Sequence, residues 1–145
     1  MNLLIMSIFD AIKYVPSNPT YAIRIESPPD PKSNIKSLAV RYPLHKSDLY
    51  TIVEYNFDDR TPDFGSGKLF DEEIAQLLLT YFKERGLSKE TLLVHCTRGE
   101  NRSPAVGIAL NDIFKLGYDT QELKRQYSDA TWYVYDVLLD VAKRF

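Results

Sequence analysis

The chain has 145 residues, 44% hydrophobic and 26% charged, the proportions of one globular domain able to bury a core, and a single domain over 1–145 is expected. A net charge of −2 with a pI near 5.7 excludes a global attraction to nucleic acid or anionic lipid, so any anion must be bound locally. One cysteine, Cys96, and two histidines, His45 and His95, exclude an intramolecular disulfide and a thiolate zinc cluster.

In chain order, "LLIM" (3 to 6) reads as a short buried strand and "SIFDAIKYV" as a helical turn or two begun by Ser7. The opening has no basic n-region or cleavage site, and Asp10 and Lys13 follow closely, so no secretory signal is expected. No stretch is long enough to span a membrane. Asn2 excludes N-myristoylation, and the final "AKRF" offers no cysteine for prenylation. These features predict a cytoplasmic protein with no membrane partner.

"TYAIRIES" (20 to 27) reads as a strand, which makes the first unit β-α-β, and the proline-rich "SPPDPKSN" (27 to 34) reads as a loop. Residues 35 to 43 fit an edge strand or an irregular segment, and "LYTIVEYNF" (49 to 57) is a strand rich in β-branched and aromatic residues. "FGSGK" (64 to 68) lacks the first glycine of a nucleotide phosphate loop and has Leu69 where Ser or Thr belongs, so it reads as a linker whose glycines let the preceding loop close.

A helix is predicted over 69–86, with Asp71 as cap, Gly86 as stop and Ile74, Leu77, Leu78, Tyr81 and Phe82 as its core stripe. "TLLVHC" is a buried-type strand, and a helix over 103–117 follows with Pro104 in its first turn and Gly117 past its end. "DTQELKRQYS" and "ATWYVYDVLLDVAKRF" are two more helices. Trp132, Tyr133 and Tyr135 in the last read as packing, since no basic residue lies nearby in the sequence. Strands alternating with helices predict an α/β fold with a mostly parallel sheet of four to five strands and helices on both faces.

"LLVHCTRGENRSPAV" (92 to 106) therefore sits at the carboxyl end of a central strand and the amino end of a helix. Unpaired backbone N–H groups and the helix dipole converge there and favour a thiolate at Cys96 and a bound anion. Arg102 can offer a bidentate fork to two phosphate oxygens, and Gly99 lets the loop turn its N–H groups inward. Thr97, Arg98, Gly99, Glu100, Asn101 and Arg102 thus form a candidate phosphate cradle.

"HCTRGENRS" resembles the H-C-x-x-G-x-x-R-[ST] signature of the cysteine-dependent protein tyrosine and dual-specificity phosphatases. The resemblance implies a phosphotyrosine-phosphatase-like fold. It also implies Cys96 as the nucleophile that forms a phosphocysteine, Arg102 and the loop amides as holders of the phosphoryl oxygens, Ser103 as an aid to breakdown of the intermediate, and His95 as a support of the loop. The family needs an acid on an upstream loop, and "NFDDRTP" (56 to 62) is similar to the F-[DE]-D-x-x-P acid loop of its compact members. Asp59 matches the acid, 37 positions before Cys96; this is somewhat farther than is common in the family, with "GSGK" as the excess. Asp58 and Asp63 are the alternatives.

No metal and no cofactor is required by this chemistry, because arginine, amides and dipole supply the positive charge. The chain lacks the separate tyrosine-recognition loop of the large members of the family, which implies a shallow, dual-specificity-like cleft. Glu100 would repel a highly anionic substrate if it pointed inward, which argues against inositol phosphates. The expected partner is a phosphorylated protein or small phosphomonoester. The cradle admits phosphotyrosine, phosphoserine, a nucleotide or an RNA 5′ phosphate. A rhodanese-like sulfurtransferase and a non-catalytic phospho-ligand module are the alternative functions; the first leaves the upstream acid loop without a role, and the second commonly lacks the cysteine, the arginine or the acid.

Overall fold

The computed structural model describes residues 1–61 and 67–145. Four strands, β1 (Asn2–Ser7), β2 (Thr20–Glu26), β3 (Tyr50–Asn56) and β4 (Thr91–Cys96), form one sheet in the order β1-β4-β2-β3. All three pairings are parallel, with Ser7 opposite Cys96, Arg24 opposite His95 and Glu26 opposite Asn56. β4 is buried along its whole length, as expected of a parallel strand covered on both faces.

Strand alternation assigns the two faces. Tyr21, Ile23 and Ile25 of β2 and Leu92, Val94 and Cys96 of β4 belong to the larger core cluster, which includes side chains of α3 (Glu72–Tyr81), α4 (Arg102–Phe114), α5 (Thr120–Gln126) and α6 (Trp132–Ala142). Ala22 and Leu93 point the other way and join Ala11 of α1 (Ile8–Lys13) and Leu44 in a smaller cluster. Cys96 therefore leaves the sheet toward α4, while Arg24 and His95 share the face of α1. α4 lies close against β1: a Cβ on Gly107 would come within 2.9 Å of the Ile5 side chain. No helix among the described residues is long and apolar enough to cross a membrane.

The predicted β-α-β unit forms as expected, and the Ser7 hydroxyl caps α1 by accepting from the Asp10 N–H. Residues 35 to 43 instead contain a short helix, α2 (Leu38–Arg41). Two local acceptors explain it, because Ser37 Oγ accepts from the Val40 N–H and the Glu26 carboxylate accepts from the Leu38 N–H. The sheet edge beside β2 is β3.

Asp71 caps α3 through the Ile74 N–H, but the buried stripe is Ala75, Leu78, Leu79 and Phe82, and Leu77 is 43% exposed. The run Leu77-Leu78-Leu79 defines no face by itself; packing beside α6 selects one, and a π turn at Phe82–Gly86 carries the helix to its end. Trp132 and Tyr135 do pack edge to face, yet a basic neighbour is present: Lys124 Nζ of α5 stands 4.6 Å from the Tyr135 ring centroid and 5.9 Å from that of Trp132.

Candidate active site

Residues 97–101 link β4 to α4 and curl into a loop held at both ends. The Ile8 N–H donates to the Thr97 carbonyl (3.3 Å), the Thr131 N–H to the Asn101 carbonyl (3.0 Å), and the Asn101 side-chain amide to the Asp129 carbonyl (2.7 Å). Gly99 sits at φ +76°, and a Cβ there would lie 2.6 Å from the Met6 carbonyl carbon and the Ser7 nitrogen. Backbone conformation and proximity to β1 both require glycine.

That turn aims the Gly99 N–H at Cys96 Sγ, 3.3 Å away, and Ser103 Oγ lies 3.2 Å from the same sulfur. Cys96 is only 2% exposed and is the single cysteine of the chain. Arg102, 7% exposed, donates through Nη1 to the Phe57 carbonyl (2.8 Å) and Ser27 Oγ (3.2 Å), and through Nη2 to Thr97 Oγ1 (3.4 Å). The ends of β2 and β3 thus hold the guanidinium beside the loop. Asp59, Cys96, Thr97, Arg98, Asn101 and Arg102 line one pocket of about 310 Å³.

The candidate acids separate by their partners. Asp58 turns back on its own loop: its N–H donates to the Lys68 carbonyl and its carboxylate accepts from the Lys68 N–H, both at 2.7 Å. Asp59 lines the pocket, with Oδ1 accepting from the Thr131 hydroxyl. Asp63 and most of "FGSGK" lie outside the described residues. Glu100 lines a separate recess with Tyr127 and Asp129 and is not part of the wall that Asp59 and Cys96 share.

His95 is a brace under the loop. Its Nε2 accepts from Arg24 Nε at 2.8 Å, so the ring proton sits on Nδ1, 3.3 Å from the Cys96 carbonyl oxygen. Burial, reinforced by the Arg24 charge, pushes its pKa down to about 4, and the ring is neutral at physiological pH. Arg24 also donates to the carbonyls of Ala39 (3.2 Å) and Tyr42 (2.6 Å), so one buried guanidinium ties β4 to the α2 segment.

Sequence reasoning passed over three contributors. Arg24 carries a visible signal, a lone charge inside the otherwise apolar "TYAIRI" of an interior strand. Ser27 and Thr131 carry none, since only the fold brings the end of β2 and the α5–α6 connection to the loop. Among the described residues no group of three or more His, Cys, Asp or Glu side chains is placed to hold a metal ion.

No protein-family model and no curated protein matches the chain. Among solved structures, that of Tk-PTP in the active form matches 100% of this chain and 94% of its own, with a TM-score of 0.57 and 17% identity. The four-stranded parallel sheet with helices on both faces is thus that of a protein-tyrosine-phosphatase-like fold.

Proposed function

We propose that this chain is a cysteine-dependent phosphomonoesterase of the protein tyrosine or dual-specificity type, acting through a phosphocysteine intermediate. One observation carries the reading: Cys96 and Arg102 of the loop after β4 and Asp59 of the loop after β3 line a single pocket, with the Gly99 N–H turned onto the Cys96 sulfur. The phosphotyrosine-phosphatase-like fold supports it.

In the first step the Cys96 thiolate attacks phosphorus as the bond to the leaving oxygen breaks, and the Asp59 carboxylic acid donates its proton to that oxygen. Arg102 and the loop N–H groups hold the equatorial oxygens, where charge is greatest. In the second step Asp59, now a carboxylate, takes a proton from the attacking water, phosphate forms, and the Cys96–phosphorus bond breaks. Ser103 Oγ, within hydrogen-bonding distance of the sulfur, donates to the departing thiolate. His95, neutral and braced by Arg24, exchanges no proton with substrate and fixes the loop.

The test is hydrolysis of p-nitrophenyl phosphate in EDTA under reducing conditions. Wild type is expected to turn over and Cys96→Ser to fall to background. Phosphate binding without turnover in the wild type would instead identify a binding module, and thiosulfate-dependent sulfur transfer a sulfurtransferase.

A further inference from the structure

Beside the phosphate pocket lies a second groove of about 220 Å³, walled by the segment that runs from β2 through α2. The two cavities share Thr97, and Ser27, which accepts from Arg102, lines the groove. A substrate with its phosphoryl group on the 96–102 loop therefore has this groove as a neighbouring surface.

Its lining carries two basic side chains, Lys36 and Arg41, and two carboxylates, Glu26 and Asp30. Lys36 and Arg41 line the groove, and among the described residues neither forms an ion pair. Arg41 Nε donates to the Lys36 carbonyl at 2.9 Å, which sets the two side chains on one wall. The carboxylates lining the groove are tied to backbone, Glu26 to the Leu38 N–H and Asp30 to the Lys32 N–H, each at 2.9 Å. Each carboxylate thus has a backbone partner, while Lys36 Nζ and the Arg41 guanidinium, 5.7 Å from the Tyr42 ring centroid, have no carboxylate partner among the described residues.

The groove is smaller than a drug-sized pocket, which suits a side chain or two, and Pro29, Ile35 and Leu38 add apolar wall. No aromatic residue lines it, so it offers no platform for a nucleobase. From these features we infer that the groove is a substrate subsite for an acidic side chain flanking the phosphorylated residue of a protein or peptide, with Lys36 and Arg41 as its specificity-determining residues. The inference rests on the phosphomonoesterase reading and names its substrate class.

The test compares kcat/KM for three phosphotyrosine peptides, with Glu, Gln or Lys on both sides of the phosphoresidue, together with p-nitrophenyl phosphate and a 5′-mononucleotide. Wild type is expected to favour the Glu over the Gln peptide by about five- to tenfold at low salt, the sum of two partly exposed ion pairs, and less at 0.5 M salt. Lys36→Glu, which leaves the Arg41 bond to the Lys36 carbonyl in place, should remove most of that preference. Lys36→Glu combined with Arg41→Glu should reverse it toward the Lys peptide. Both variants should hydrolyse p-nitrophenyl phosphate within twofold of wild type. Equal rates on all peptides, a preference that survives the double reversal, an equal loss on p-nitrophenyl phosphate, or a mononucleotide hydrolysed better than every peptide would each overturn the subsite. No turnover of any substrate by the wild type would overturn the phosphomonoesterase reading, and the subsite with it.

Discussion

At the scale of single residues, the site separates groups that line the pocket from groups that hold others in place. Asp59 lines the pocket while Asp58 closes its own loop on Lys68. If Asp59 is the acid, Asp59→Asn should slow substrates with poor leaving groups by about 10² to 10⁴, and scarcely slow those whose leaving oxygen departs unprotonated. A series of aryl phosphates of rising leaving-group basicity reads this directly, and Asp58→Asn serves as the comparison. His95 makes a different prediction. Its pKa near 4 lies below the ordinary 6.5, so the neutral ring contributes stability present above about pH 6.5 and lost as pH falls toward 4. Histidine NMR should show no His95 titration between pH 8 and 5 in the wild type. In Arg24→Met, with the Nε donor and its charge removed and burial left in place, the midpoint should rise from the wild-type value. A wild-type midpoint near 6.5 would mean that the brace does not hold.

At the scale of elements, the chain builds its loop by bringing α4 close behind the end of β4 and wedging Gly99 against β1. Gly99→Ala would combine a positive φ with contacts of 2.6 Å to backbone atoms, which cannot move aside as a flexible side chain can. The expected outcome is loss of most p-nitrophenyl phosphate turnover with the sheet intact, checked by kinetics beside far-ultraviolet circular dichroism. Most elements were legible because their signals are local: Ser7 and Asp71 cap helices, and "TLLVHC" reads as a buried strand. α2 was not legible, because one of its two acceptors, Glu26, is 12 residues away. The facing of α3 was not either, since three consecutive leucines leave it to the neighbouring helix.

At the scale of the whole molecule, the sheet order places the ends of β2 and β3 and the α5–α6 connection around the loop from β4. In the proposed reading a chain of net negative charge binds an anion because two arginines, Arg98 and Arg102, line one pocket beside the start of α4. Inorganic phosphate should therefore raise the melting temperature, and at a hundredfold excess over its Kd the gain is about 2.7 kcal/mol. Arg102→Ala should abolish the shift while Lys46→Ala, distant in sequence from the loop, should keep it. Differential scanning fluorimetry across phosphate concentrations measures both.

The sequence alone determined the α/β class, the parallel sheet and the motif around Cys96, because period, caps and a nine-residue motif are all written in adjacent positions. Tertiary structure alone decided that Asp59 and not Asp58 lines the pocket, that Arg24 holds His95 in one tautomer, and that Ser27 and Thr131 reach the site. Those facts depend on pairs 71 to 75 residues apart, joined by strand order and by the burial of polar groups that must find partners. No local pattern in the chain encodes them.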